Sequence, residues 1–452
     1  RFGPYASKGY LKTKNEEAYS MVFTIHYPDE ERPAGRPLKR SPCYDRMLEK
    51  GAVFGSTFGW ERPNWFAPPG YGLSEAELAK PDTLLRENHP PAAPGEKVTE
   101  KWSFRRSNYF EFVGNECRHV HEKVGILDMS AFSKFMVEGH DSASWLDSLL
   151  ANRIPRKIGR IGLCHLLTSL GGVRSEFTVY RLAEDRFYLV SAGMLERHDW
   201  DYLTKALPVD GRVQLRKVTS QYGVLVVAGP NSRSLLQRLT DRDLSNEAFP
   251  WLSGQPVNIG AADAHAIRVN FVGELGWELH HPIETQNYIF DRLFEAGEEF
   301  DLKPFGIRAM DSLRLEKSYR LIPRELSVEY AALESGLERF VSWDKDDFVG
   351  KAGLDAWRNR GFRWQFVTLE ISGINDVDAR GSEPIYDGAE LIGRCTSGGY
   401  GWRVGKSLAL GMVHPDRAGL GSQWEVEILG ERFSATVIPE SPFDPQHQRL
   451  RG

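Results

Sequence analysis

The series of short strands predicted after residue 363 is the feature that most constrains the fold. Apolar segments of strand length alternate there with Gly-rich turns. Such a series is typical of a small all-β barrel or sandwich. The predicted strands of this part cover 365–372, 384–387, 390–395, 407–413, 424–428 and 433–438.

Ahead of this all-β part, helical and strand periodicities alternate from Trp102 onward. The predicted fold class is therefore α+β, with a C-terminal all-β domain. The Gly-Glu pair at 273–274 predicts a hairpin. Helices are predicted over 108–124, 142–150, 194–206, 231–239, 284–298 and 306–318, and strands over 22–27, 133–138, 162–168, 174–180, 186–191, 222–228, 265–272 and 276–281.

Pro and Gly mark the domain boundaries. A run of Ala-Pro-Pro-Gly opens residues 67–100 and a second Pro-rich run closes them, around a polar, helix-like stretch at 74–79. Too little apolar surface is available there to be buried, which predicts a linker. The predicted parts are an N-terminal segment at 1–66, the linker at 67–100, a main domain at 101–363 and a β domain at 364–452.

Composition excludes several classes of protein. Of the 452 residues, 41% are hydrophobic and 26% are charged, the net charge is −5, and the longest apolar runs are far shorter than a membrane span. We expect neither a membrane nor a nucleic acid as partner. The 4 cysteines are widely spaced, so we expect no disulfide framework. The histidine pairs have no further metal-ligating residues at a suitable spacing, so we expect no metal site. Dinucleotide, phosphate-loop and serine-hydrolase motifs are missing.

Two carboxylates could carry chemistry. Glu176 lies in a predicted strand, on the face opposite Phe177, and is either a solvated edge residue or an acid or base in a cleft. Glu278 follows the predicted hairpin beside Trp277. A carboxylate near an aromatic wall can bind a planar heterocycle that carries N–H donors, although a surface hairpin with a core Trp is the plainer alternative.

Three further residues have weaker signals. Asn152 follows a predicted helix end, where a turn Asn is the simplest explanation. Arg314 is three residues after Asp311, which predicts an ion-paired helix surface. Tyr400 lies in the Gly-rich segment TSGGYG (396–401), which predicts a turn that lets the backbone approach a ligand.

Taken together, the motifs of residues 101–452 resemble the aminomethyltransferase, or glycine-cleavage T-protein, family. The resemblance implies that family's fold, with ferredoxin-like α+β modules and a C-terminal barrel. The motifs that carry it are VGILDMS (124–130), LLANRI (149–154), GGVRSEFTVY (171–180), VAGP (227–230), VGELGWEL (272–279), IRAMDSLRLEK (307–317), ALESGL (332–337), DFVGK (347–351) and TSGGY (396–400).

Residues 1–66 resemble the segment that connects the flavin domain to the T-protein-like domain in dimethylglycine and sarcosine dehydrogenases. The resemblance rests on 33–37 and 54–66. We interpret the start at Arg1, which lacks a leader pattern, as an internal start. The resemblance implies that FAD belongs to a preceding domain or partner chain, which would be a partner of this chain. Self-association is the other expectation.

The resemblance also implies roles for site residues. Glu176 stands at the family's catalytic Asp, and Glu278 at its pterin-binding Glu. Asn152 is retained, whereas Phe271 replaces a family Tyr. Met310 replaces an Arg that contacts the folate tail, for which Arg314 is the nearest cationic substitute. Trp277 and Tyr400 complete the implied cofactor-binding set.

The implied function is transfer of a one-carbon unit from an oxidised N-methyl amine to tetrahydrofolate, giving 5,10-methylenetetrahydrofolate. The implied location is the bacterial cytoplasm or the mitochondrial matrix. Two alternatives stay open. One is a non-catalytic relative such as the pyruvate dehydrogenase phosphatase regulatory subunit, and the other is a folate-dependent demethylase that acts on a methoxy or sulfonium substrate.

Overall fold

The computed structural model describes residues 7–68 and 102–452. The predicted linker falls largely outside these ranges, and the helix-like stretch at 74–79 falls wholly outside them. The helices are α1 (Lys8–Ser20), α2 (Tyr44–Glu49), α3 (Phe110–Glu122), α4 (Ser142–Leu149), α5 (Glu196–Lys205), α6 (Ser232–Gln237), α7 (Gln286–Gly297), α8 (Ile307–Leu315), α9 (Lys351–Arg360) and α10 (Gln448–Arg451).

The strands form a hairpin, two larger sheets and a closed barrel. They are β1 (Ala52–Thr57), β2 (Trp60–Phe66), β3 (Val124–Asp128), β4 (Ser133–Glu138), β5 (Ile161–Leu167), β6 (Val173–Ala183), β7 (Arg186–Ser191), β8 (Gln214–Lys217), β9 (Tyr222–Ala228), β10 (Gly254–Ile259), β11 (Ala262–Ile267), β12 (Gly276–Pro282), β13 (Leu302–Pro304), β14 (Gln365–Ile371), β15 (Pro384–Asp387), β16 (Glu390–Gly401), β17 (Lys406–Val413), β18 (Gln423–Ile428) and β19 (Glu431–Ile438).

The first large sheet has the strand order β10-β11-β12-β9-β3-β13. Its β9 is buried on both faces, because Leu225 and Val227 pack in one apolar cluster while Val226 and Ala228 pack in another. A strand buried on both sides is continuously apolar instead of alternating, which explains why 222–228 reads as an uninterrupted hydrophobic run. The prediction of a strand at 222–228 is confirmed.

The second large sheet has the order β5-β6-β7-β4-β8, and all its pairs are antiparallel. On β6, Phe177 and Val179 are fully buried, whereas Glu176 and Thr178 are half-buried. This alternation confirms the predicted assignment of faces. The Phe177 face packs in one cluster with residues of α4 and α5, and the Glu176 face turns towards the first sheet.

The C-terminal part is a closed barrel of the order β14-β17-β16-β15-β18-β19, which confirms the predicted all-β domain. The prediction of a turn at 396–401 is wrong, because β16 continues through this segment and pairs with β17 as far as Gly401. The glycines serve close packing: a Cβ at Gly398 would lie 2.3 Å from the carbonyl oxygen of Ala379. Glycine therefore fits here because a neighbouring chain segment lies against the strand.

Two other predicted strands differ from the structure. Residues 22–27 form no strand, because Val22, Phe23 and Ile25 are exposed and the chain continues helix α1 into a turn. The predicted strand 265–272 ends at Ile267. The following loop is built by Asn270, whose side chain accepts from two loop amides and donates to the carbonyl of Glu274. Within the described ranges, no helix is long and apolar enough to cross a membrane.

Candidate functional site

Both predicted carboxylates lie on the facing sides of the two large sheets. Tyr180 and Glu176 share a face of β6, and Tyr180 is paired with Tyr188 on β7. The Tyr188 hydroxyl lies 3.2 Å from Nδ1 of His280, which is two residues from Glu278 on β12 and on the same face. Glu176 and Glu278 therefore lie on the faces of the two sheets that turn towards each other.

Glu176 is oriented by a histidine that the sequence reasoning missed. His165 lies directly opposite it on β5, and its Nε2 is 2.9 Å from Oε2 of Glu176. The His165 side chain is only 2% exposed and packs against Phe340, whereas that of Glu176 is 27% exposed. The carboxyl group is thus fixed on one side and accessible on the other. A β-bulge between Leu166 and Leu167 shifts the register of this pair of strands, so counting outward from the predicted Gly-Gly turn does not find the pairing.

Glu278 is more deeply buried, and burial raises the pKa of its carboxyl group to about 8. Its Oε2 is 3.1 Å from Nε2 of His280, and burial lowers the pKa of that imidazole to about 3. Burial thus favours the neutral form of both groups. The Oε1 atom of Glu278 makes no hydrogen bond to any residue that the structure describes.

The side chain of Trp277 does not lie on the same face of β12 as that of Glu278. It points to the opposite face of β12, where it is fully buried in the core of the first sheet and meets Phe249 edge to face. The guanidinium groups of Arg233 and Arg268 lie 5.9 and 5.6 Å from its ring centre. Adjacent residues of a strand project to opposite sides, so the structure places the indole in the core and not in the inter-sheet space.

Arg314 is fully buried, so the prediction of an ion-paired helix surface is wrong about burial although the pair itself is present. Each of its three guanidinium nitrogens is engaged: Nε with Asp311 at 2.7 Å, Nη1 with the Tyr319 carbonyl at 3.1 Å, and Nη2 with Ser397 Oγ at 3.0 Å. Arg314 joins α8 to the barrel, each of its nitrogens is bonded within the protein, and its side chain is only 1% exposed. Arg324 is the more accessible cation near Asp311, with 37% of its side chain exposed.

Phe271 and Tyr400 both contact the segment 312–319, which includes the C-terminal part of α8. The Phe271 ring packs 5.5 Å from that of Tyr319, which follows the helix. The Tyr400 ring meets Phe110 and Trp402 edge to face, and its carbonyl accepts a 2.7 Å hydrogen bond from Ser312. Both residues line contacts between α8 and its neighbours, and neither touches Glu278.

Asn152 makes a structural connection. Helix α4 ends at Leu149, and the Asn152 amide donates to the Leu163 carbonyl of β5 at 2.8 Å. Its Oδ1 accepts from the amide of Arg153 and from Ser342. This confirms a turn Asn beyond the helix end. In the described part of the chain, no group of three or more His, Cys, Asp or Glu residues could hold a metal ion.

The fold is that of a T-protein-type aminomethyltransferase. Residues 43–345 match the GCVT N-terminal domain, and residues 365–444 match the glycine cleavage T-protein C-terminal barrel domain. Residues 1–41 match the FAD dependent oxidoreductase central domain. The chain belongs to the glycine cleavage T-protein family, as its motifs predicted.

Individual curated relatives match along all or nearly all of this chain. Mouse mitochondrial dimethylglycine dehydrogenase is 37% identical over 100% of this chain and 49% of its own length. Mouse mitochondrial sarcosine dehydrogenase is 30% identical over 98% of this chain and 50% of its own length. The chain thus spans about half the length of these curated relatives. The aminomethyltransferase T of the Bartonella henselae glycine cleavage system shares the fold, with a TM-score of 0.73 and 22% identity over 90% of this chain and 99% of that one.

Proposed function

We propose that this chain is the tetrahydrofolate-dependent one-carbon transfer half of an N-methyl amine dehydrogenase such as dimethylglycine or sarcosine dehydrogenase. The product would be 5,10-methylenetetrahydrofolate. One observation carries the proposal: Glu176 and Glu278 lie on the facing sides of the two large sheets in a chain of the T-protein family. The relatives that match along the whole chain support the choice of N-methyl amine.

The two carboxylates would have separate roles. Glu278 would recognise the pterin ring, because its Oε1 is free to accept a hydrogen bond from a ring N–H group. Glu176 would hold or deprotonate the folate amine, or stabilise the positive charge of the transferred unit, with His165 fixing its orientation. When bound, tetrahydrofolate would supply the amine nitrogens that accept the one-carbon unit.

The residues fit the pterin end of the ligand better than its tail. Phe271 has no hydroxyl group to offer a ligand, and Met310 stands at a position where the T-protein family has Arg. Arg314 was the expected substitute, but all its nitrogens are engaged within the protein. Arg324, exposed by 37%, is the better candidate for the tail carboxylate.

A flavin-containing portion would be the physical partner of the N-terminal segment. Residues 1–41 match the FAD dependent oxidoreductase central domain, and this segment exposes large apolar side chains. Phe23 is 98% exposed, Ile25 76% and Val22 60%. Contiguous exposed apolar surface marks an interaction site. FAD would then be bound outside this chain, while an N-methylated amine would be the substrate of the flavin portion.

Binding and transfer test the proposal separately. Saturating tetrahydrofolate should raise the melting temperature of this chain, since a ligand at about 100 times its Kd stabilises by about 2.7 kcal/mol. Glu278→Gln should weaken binding, whereas Glu176→Gln should retain binding but slow transfer in the full-length dehydrogenase by about 10²–10⁴-fold. Glu138→Gln is the matched control, because Glu138 is half-buried at the far end of the same sheet and paired with Arg216.

An unchanged melting temperature at saturating tetrahydrofolate would reject the proposal. Binding without transfer in the full-length protein would favour a non-catalytic regulatory relative. Transfer from a methoxy or sulfonium donor without a flavin portion would favour a demethylase.

A further inference from the structure

A series of buried hydrogen bonds connects β12 of the first sheet to β7 of the second. It runs from Glu278 Oε2 to His280 Nε2 at 3.1 Å, and from His280 Nδ1 to the Tyr188 hydroxyl at 3.2 Å. All three residues are buried, with the His280 side chain 1% exposed and that of Glu278 11% exposed. This series of hydrogen bonds ends at a carboxyl group whose other oxygen, Oε1, has no hydrogen-bond partner among the described residues.

Two other groups near these hydrogen bonds, Lys134 and His281, make their own hydrogen bonds elsewhere and do not take the place of His280 as a partner of Glu278. Lys134 on β4 is the nearest cation, but its Nζ is held by the carbonyls of Ser130, Thr219 and Tyr222. His281 points to the other face and contacts the Pro282 carbonyl.

The other titratable groups considered on the packed elements are tyrosines, His265, the Arg186 guanidinium at the start of β7, which acts electrostatically on His265, and Glu176 on β6, which is paired with His165. Tyr222 on β9 meets Tyr188 ring to ring, and the Tyr180 hydroxyl on β6 lies 3.4 Å from Nδ1 of His265 on β11. Burial raises the pKa of Tyr188 and Tyr180 and lowers that of His265, so these groups are neutral near pH 7. Within the described residues, His280 is thus the only hydrogen-bond partner of the Glu278 carboxyl group.

We infer that His280, held by Tyr188, is a positioning residue that orients the Glu278 carboxyl group and changes its tautomer when the binding of a ligand with N–H donors causes the Glu278 proton to be released to solvent. The inference rests on the proposed function. In the free protein, the Glu278 carboxyl donates to Nε2 and Nδ1–H donates to Tyr188. In the complex, Nε2–H donates to the Glu278 carboxylate and the Tyr188 hydroxyl donates to Nδ1.

The proton balance of this change is fixed. The free arrangement has protons on Glu278, on Nδ1 and on the Tyr188 oxygen, and the complex has protons on Nε2 and on the Tyr188 oxygen. One proton is therefore released to solvent for each ligand bound below the pKa of Glu278, which is about 8. A carboxylate held by an N–H donor can accept from the ligand through Oε1, which a protonated carboxyl group does less well.

Isothermal titration calorimetry with tetrahydrofolate, in two buffers of different ionisation enthalpy at pH 7, measures both affinity and proton release. Wild type should release close to one proton, and Glu278→Gln should release none. His280→Phe should raise Kd by about 10–100-fold, because the charged carboxylate loses its donor. Tyr188→Phe should act in the same direction with a smaller effect, and His280→Gln should restore part of the affinity because it keeps an N–H donor.

His281→Phe is the matched control, since His281 is adjacent and buried but points away from Glu278. Equal affinity and equal pH dependence in His280→Phe and wild type would overturn the inference. Failure of wild type to bind would instead reject the proposed function. The inference would then be tested without ligand, by infrared titration of the Glu278 carboxyl group, whose midpoint should rise in His280→Phe and whose constancy would overturn it.

Discussion

Replacing Arg403 by Met should destabilise the contact between the C-terminal barrel and the α+β domain that precedes it. The loss should be larger than that caused by removing a charge at the surface. The Arg403 side chain is 1% exposed, and its nitrogens lie 2.5 Å from Glu316 and 2.9 Å from Glu274, which are both buried as well. It also donates to the carbonyls of Val272 and Leu313. The substitution leaves buried charge and two buried carbonyls without a donor.

The magnitude follows from which of the two carboxylates loses its only ion pair among the described residues. Glu274 keeps Arg449 at 2.6 Å and His121 at 3.0 Å, whereas Glu316 keeps only backbone amides. Leaving one buried charge uncompensated costs about 3–5 kcal/mol, while Arg449→Met, which removes a 37% exposed side chain, should cost about 1 kcal/mol or less.

Urea unfolding followed by circular dichroism measures these costs, with the free energy taken from the first transition. The double substitution Arg403→Met with Glu316→Gln should recover part of the loss, because the stranded charge is then removed. Equal costs for Arg403→Met and Arg449→Met would refute the reasoning. The result matters for the site because Glu274 belongs to the loop that carries Phe271 between β11 and β12.

Further outcomes follow from single residues. Because burial raises the pKa of Glu278 from 4.5 to about 8, this group contributes stability below pH 4.5 that is lost as the pH rises through 8; urea unfolding should therefore show that Glu278→Gln improves relative to wild type between pH 5 and pH 8. Trp277→Phe should lower the melting temperature yet leave the Kd for tetrahydrofolate within a few-fold of wild type by calorimetry, since the indole lies in the core. Gly398→Ala should destabilise the barrel in thermal unfolding because its Cβ would meet Ala379, whereas Gly399→Ala, with its nearest neighbour at 3.7 Å, should not.

Periodicity predicted the architecture well because most elements have one buried face. The alternation of Phe177 and Glu176 gives the correct strand and the correct faces of β6. It fails where a strand has no local partner, as at 22–27, and where glycine serves close packing, as at Gly398. At Gly398 the deciding contact is with Ala379, and at 22–27 the side chains of Val22, Phe23 and Ile25 are exposed without a neighbouring strand among the described residues; a local pattern contains neither fact.

The candidate site was only partly predictable, for the same reason. Glu176 and Glu278 stand out through their motifs, but His165 and His280 gain their importance from pairing across strands and within β12. Every position from Gly276 to His281 is buried, so an alternation of buried and exposed residues does not indicate which face of β12 meets the second sheet. Strand geometry alone separates Trp277 from Glu278, since neighbouring side chains project oppositely. A carboxylate paired with a histidine two residues away on one strand is therefore a stronger signal for this space than a carboxylate next to an aromatic residue.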